Sequence, residues 1–166
     1  MEEKVSFDIR YSQMEDFHPL HAWLSDPATH IWFPPSIPRE IEEFAKNWIG
    51  FSRFRSSLTA TAQGVPVAVG TLFLLPYKKV AHQCSFYLVV APEMRRKGVG
   101  SSMVKNLLNL AQNYFHFESV YADVYEGCPL LPLLEKKFSF QQIDYQERFV
   151  KNPTGYLARI IVEHTF

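Results

Sequence analysis

The stretch from Leu88 to Ser101 constrains the fold most. A strand-like run, Leu88-Val89-Val90, passes through Arg95-Arg96-Lys97-Gly98-Val99-Gly100 into a long amphipathic helix. That helix carries Val99, Met103, Val104, Leu107, Leu108, Ala111, Tyr114 and Phe115 as an apolar stripe at helical spacing. A helix start exposes unpaired backbone N–H groups and the positive end of the helix dipole. Gly98 and Gly100 have no side chain to hold a ligand away from those groups, and Arg95, Arg96 and Lys97 add charge beside them. A turn built this way suits a pyrophosphate. It matches neither the Walker loop, with Gly-Lys-Ser/Thr after four spacers, nor the Gly-x-Gly-x-x-Gly dinucleotide fingerprint. The competing reading is a glycine-capped helix beside solvated basic residues.

Charge sharpens the point. The 17 basic residues equal the 17 acidic ones, so there is no net basic footprint of the kind a nucleic-acid binder carries. Any anionic ligand must be met by a local cluster, and Arg95 to Lys97 is that cluster. At 166 residues the chain makes one domain, 1–166, which buries roughly 70% of its unfolded surface.

Alternation and capping signals give the remaining elements. Val5 to Tyr11 is a first strand. Asp16 caps a helix with Phe17, Leu20, Trp23 and Leu24 on its apolar face. An aromatic and proline-rich loop, Asp26 to Pro35, precedes a helix capped by Ser36. Ser57 to Ala62 and Val65 to Leu74 form a hairpin about Gln63-Gly64. His82 to Val90 and Ser119 to Tyr125 are strands, and Pro129 to Lys137 is a short helix. Gln141 to Val150 and Tyr156 to Glu163 close the chain as strands. The order is β-α-α-β-β-β-α-β-α-β-β.

Val90-Ala91-Pro92-Glu93-Met94-Arg95-Arg96-Lys97-Gly98-Val99-Gly100 resembles the acetyl-CoA-binding motif of the GNAT superfamily of N-acetyltransferases. Leu134-Glu135-Lys136-Lys137-Phe138-Ser139-Phe140 resembles, in degraded form, that family's later Leu-Tyr-Glu-Lys-x-Gly-Phe segment, and the element order is similar over essentially the whole chain. The resemblance implies an α/β (α+β) single-domain fold. Its centre would be a twisted, mixed, mostly antiparallel sheet of about seven strands, flanked by about four helices. It also implies acetyl-CoA as co-substrate and an enzyme moving acetyl to a primary amine, peptide or small molecule, by direct attack in a ternary complex. The backbone of Leu88, Val89 and Val90 would pair with the pantetheine arm. The N–H groups of Arg96, Lys97, Gly98, Val99, Gly100 and Ser101 would hold the pyrophosphate, with Arg95 to Lys97 supplying charge.

Two departures bear on chemistry. The position where the family often has a Tyr general acid holds Glu135, and the strand position where some members have a Glu base holds Cys84. Cys128 replaces an Asn often found seven residues before the Tyr. Glu135 and Cys84 are candidates by position only; an ordinary thiol is a poor base at neutral pH, and a carboxylate donates a proton only if its pKa is raised. The different-class alternative is a non-catalytic acyl-CoA-binding sensor or scaffold. Trp32 and Phe33, in the loop between the first helices, and Tyr145 and Tyr156, flanking the closing turn, are candidates for the acceptor pocket, with core packing as the rival explanation.

Two cysteines without zinc-ligand spacing point to free thiols, and no metal site is expected: His18 and His21 have no third ligand. Met1-Glu2-Glu3-Lys4 does not read as a signal peptide, and no apolar run reaches the ~20 residues that span a bilayer. The expectation is a cytoplasmic protein without membrane or nucleic-acid partners, whose exposed aromatics are compatible with a homodimer. The acceptor amine stays unnamed.

Overall fold

Gln63 and Gly64 both have left-handed backbones, with φ of 51° and 78°, so two residues suffice to reverse the chain between β2 (Ser57–Ala62) and β3 (Val65–Leu74). From this hairpin a seven-stranded sheet grows in both directions. The other strands are β1 (Asp8–Tyr11), β4 (Gln83–Val90), β5 (Ser119–Tyr125), β6 (Gln141–Asn152) and β7 (Gly155–Thr165), in the order β1-β2-β3-β4-β5-β7-β6. All neighbours run antiparallel except β4 and β5, which are parallel. This computed structural model describes residues 5–166, so Met1-Glu2-Glu3-Lys4 lies outside the described residues.

Side chains alternate between the faces of a strand, and each face here has its own core. Helices α1 (Phe17–Leu24) and α3 (Pro38–Gly50) bury Leu20, Leu24, Ile41, Ala45 and Trp48 against Val69 and Val89. Helices α4 (Val99–Asn109) and α5 (Leu130–Lys137) cover the opposite face, where Met103, Leu107 and Leu134 meet Ala68, Leu72 and Phe86. Beyond α4, Leu110–Tyr114 widens into a π turn, with the Phe115 N–H bonding Leu110 O five residues back at 3.2 Å. The extra residue shifts the stripe: Leu110 is buried, and Tyr114 is exposed instead of inward. No helix among the described residues is long and apolar enough to cross a membrane.

Several boundaries differ from expectation for local reasons. The first strand begins at Asp8. The stretch 26–35 is not all loop: Asp26 accepts from Ala28 N at 3.0 Å and caps a short helix, α2 (Pro27–His30), making five helices. Helix α3 is capped at Ile37 rather than Ser36. The Asp16 side chain does not cap α1. It accepts from Gln13 N at 2.9 Å, from Arg10 in a two-point contact at 2.8 and 2.9 Å, and from Thr59 Oγ1 at 2.8 Å.

Thr59 begins a buried chain of hydroxyls crossing the sheet. Thr59–Ser12 is 2.7 Å, Ser12–Ser57 is 2.8 Å, Ser57–Thr71 is 2.6 Å, and Trp48 Nε1 reaches Thr71 at 2.8 Å. An indole N–H only donates and a carboxylate only accepts, and each hydroxyl has one proton. One arrangement satisfies every link: Trp48 donates to Thr71, Thr71 to Ser57, Ser57 to Ser12, Ser12 to Thr59, and Thr59 to Asp16. The strand β1 edge is thereby joined to the aromatic core around Trp48.

Burial alone would raise the Asp16 carboxyl, but hydrogen bonds from Arg10, Gln13 and Thr59 outweigh it and leave its pKa below the ordinary value. A carboxyl depressed in the folded state adds stability above its unfolded pKa, near 3.9, and loses it as pH falls through the folded value. Asp16→Asn is expected to lower unfolding free energy by about 2 kcal/mol at pH 6–7. In urea melts across pH the gap to the unmodified protein should close below about pH 4; a gap constant from pH 7 to pH 3 would contradict the charged assignment.

Candidate active site

Strands β4 and β5 pair for only three residues, at Gln83↔Ser119, Cys84↔Val120 and Ser85↔Tyr121. Beyond them β4 stays with β3 as far as Val90, and β5 stays with β7 as far as Tyr125, so the sheet opens into a fork. Ala91 N donates to Val67 O at 2.8 Å, toward β3. Backbone alternation then turns the N–H and C=O of Val90 and Leu88 toward the open side, and those of Val89 toward β3. Of the three strand residues expected to offer backbone to a ligand, Leu88 and Val90 face the fork. Val89 does not, because its pairing with Val69 uses its polar groups.

The basic turn ends beside this edge. Arg96 and Gly98 have φ of 60° and 85°, the left-handed region, and Gly98 is the N-cap of α4. Ser102 N donates to Gly98 O at 3.1 Å, so the N–H groups of Val99, Gly100 and Ser101 precede the first donor bonded within the helix. A Cβ on Gly100 would lie 3.7 Å from Val90 Cγ2 and 3.9 Å from Leu88 Cδ2. The helix start and the open edge of β4 are therefore in van der Waals range of each other. Arg96 and Lys97 are exposed on the turn. Arg95 differs from expectation, because its guanidinium is held by the protein: Nε donates to Val90 O at 3.1 Å, and Nη2 to the buried Thr29 Oγ1 at 2.9 Å. It braces α2 against the end of β4.

Inside the fork is a cavity of about 40 Å³ lined by Trp32, Pro34, Tyr87, Asp123, Tyr125, Phe149 and Arg159. Trp32 also packs over Gly127, where an added Cβ would meet its ring at 3.7 Å. Asp123 Oδ2 lies 3.7 Å from Arg159 Nη1, near but beyond hydrogen-bond length. Burial raises the Asp123 carboxyl above its ordinary pKa, and Arg159 opposes this only in part. Burial, reinforced by the Asp123 charge, pushes the Tyr87 and Tyr125 phenols up to about 12, so both stay protonated donors. The Arg159 guanidinium carbon sits 4.3 Å over the Phe149 ring, and its Nη2 donates to Gln146 Oε1 at 2.9 Å.

Among the aromatic candidates, Trp32 lines the cavity. Phe33 packs instead into the core with Phe44, Trp48 and Tyr87, at 5.9, 5.7 and 5.6 Å between ring centres. Tyr145 and Tyr156 are exposed and line no part of the cavity; Tyr156 carries Arg148 over its ring at 4.2 Å. The two residues placed by counting also fall outside it. Glu135 is exposed on α5. Cys84 is fully buried where β4 is paired on both sides, and burial pushes its thiol up to about 12, so it stays protonated at neutral pH. The sequence signal for the missed residues was present: Asp123 and Arg159 are lone charges in the otherwise apolar or aromatic runs Val120–Tyr125 and Leu157–Ile161. Tyr125 pairs with Arg159 across β5 and β7, and Asp123 is its diagonal neighbour.

The model of the Acetyltransferase (GNAT) family matches residues 14–140, and the chain belongs to that family. It is an acetyltransferase, of a family that uses acetyl-CoA. Among similar solved structures, a ribosomal-protein-alanine N-acetyltransferase from Brucella melitensis has TM-score 0.77 at 17% identity, covering 96% of this chain and 99% of that one. An N-acetyltransferase from Staphylococcus aureus Mu50 has TM-score 0.78 at 16% identity, with 96% and 98% covered. The yncA protein of Salmonella typhimurium, solved with its cofactor acetyl-CoA, has TM-score 0.76 at 14% identity, with 96% and 93% covered. No curated protein matches the chain in sequence.

Cys84→Ala is expected to leave acetyl transfer within about threefold of the unmodified protein. Loss of a general base would lower kcat by about 100-fold or more, and steady-state kinetics at pH 7 distinguish the two.

Proposed function

We propose that this protein transfers acetyl from acetyl-CoA to a primary amine held in the fork, with both substrates bound together. The observation that carries this reading is convergence on the gap between β4 and β5: the helix-start N–H groups and the open edge of β4 border it on one side, and a half-buried carboxylate on β5 borders it on the other. The N–H groups of Val99, Gly100 and Ser101, with Arg96 and Lys97, suit the pyrophosphate, and the outward backbone of Leu88 with the Val90 N–H suits an amide-bearing arm, the Val90 carbonyl being held by Arg95. Acetyl-CoA supplies an activated acyl thioester: its C–S bond breaks as the neutral amine nitrogen forms the new C–N bond, the electron pair leaves on sulfur, and the departing thiolate takes the second proton released by the nitrogen.

The protein's own chemical task is deprotonation and placement. An amine reaches the fork as an ammonium, which cannot attack. Asp123 is an ionised carboxylate in a half-buried site, and its raised pKa makes it a better proton acceptor than a surface carboxylate. The proton passes from the ammonium to Asp123, leaving a neutral nitrogen beside the thioester. Positioning two bound reactants supplies much of the rate factor.

Two variants test this. Gly100→Val puts a branched side chain between the helix start and the β4 edge, and should raise the KM for acetyl-CoA by roughly tenfold or more, since the anion loses close access to the N–H groups. Unchanged acetyl-CoA kinetics would remove the turn from the site. Asp123→Asn should lower kcat/KM for the amine by about 100-fold at pH 7. The deficit should narrow as pH rises toward the amine's own pKa, where the neutral form needs no base; a deficit independent of pH would deny Asp123 the role.

A further inference from the structure

We infer that the acceptor is an amine bearing an anionic group one or two carbons from its nitrogen, as in a free α-amino acid, with Asp123 receiving the ammonium and Arg159 the anion. This rests on the acetyl-transfer reading above and adds the substrate class. The cavity, about 40 Å³, is small and admits a group of only a few atoms. Its walls present one negative and one positive side chain, 3.7 Å apart and not hydrogen-bonded to each other.

Arg159 supplies the second observation. Among the described residues its Nε is the one fully buried side-chain nitrogen or oxygen without a hydrogen-bond partner. Nε and Nη2 share one edge of the guanidinium, and only Nη2 is engaged, by Gln146. A carboxylate accepting from Nε completes that edge in the planar geometry arginine favours.

Charge arithmetic points the same way. In the free protein Asp123 and Arg159 neutralise each other. When Asp123 turns to an ammonium, or takes its proton, Arg159 loses its counter-charge inside a half-buried site, and an uncompensated buried charge is strongly unfavourable. A simple alkylamine leaves Arg159 in that state. An amine with its own anion exchanges one internal ion pair for two intermolecular ones.

The test compares free L-amino acids with their primary carboxamides, which keep the side chain and the amine but lose the anion, by thiol release from acetyl-CoA. The expected result is a kcat/KM at least about tenfold higher for the acid than for the amide, as for loss of a charged hydrogen bond. Arg159→Gln should bring that ratio close to one, and Arg159→Lys should restore part of it. Because the ratio is taken within each variant, partial loss of folded protein cancels. Amides turned over as well as acids, or an acid/amide ratio unchanged by Arg159→Gln, would overturn the inference while leaving acetyl transfer intact. Acetyl-CoA binding without turnover of any acid, amide or alkylamine would overturn both.

Discussion

The site exists because a parallel strand pair stops early. Five of the six neighbouring strand pairs are antiparallel and form ordinary ladders, with polar backbone satisfied on both sides away from the edges. The three-residue contact between β4 and β5 joins two such sheets, β1-β2-β3-β4 and β5-β7-β6, at one end and leaves them apart at the other. Unpaired backbone inside a sheet is unfavourable unless something else bonds it. A chain that keeps such an opening therefore has donors and acceptors already aimed at whatever enters. The helix after β4 starts at the mouth of that opening, so cofactor site and fork are two results of one interrupted ladder.

Much of this was legible in the sequence. The basic glycine turn, the strand before it and the helix after it are local, and local signals survive folding. The hairpin at Gln63-Gly64 and the limits of β2, β3 and β5 were equally readable, because each depends on neighbouring residues alone. The acceptor side was not. Tyr87, Asp123, Phe149 and Arg159 come from four strands, and only the order of those strands brings them together. Two register shifts in β6, at 142/144 and 146/150, also change which of its side chains look inward, so Phe149 lines the cavity and Tyr145 does not. Cys84 illustrates the opposite error. Position along the chain alone does not reveal that β4 is still paired on both sides there.

The polar interior is organised by direction as much as by number. Wherever a hydroxyl chain runs between a pure donor and a pure acceptor, every proton in it is assigned, and neighbouring bonds polarise one another. Trp48, at the donor end, stacks among Phe33, Phe44 and Tyr87, so the aromatic wall behind the fork is referenced to a carboxylate near the start of the chain. That link explains how an edge strand and the cavity between β4 and β5 share one frame.

The Arg95 brace has a consequence for how two substrates assemble. One guanidinium bridges the end of β4, which leads into the basic glycine turn, and α2, which leads into the Trp32 loop over the cavity. Segments coupled this way do not lose their freedom independently. On the proposed two-substrate reading, a ligand that stilled one of these segments would still the other with it, so the ordering entropy would fall on a single event and a second arrival would meet a surface already set.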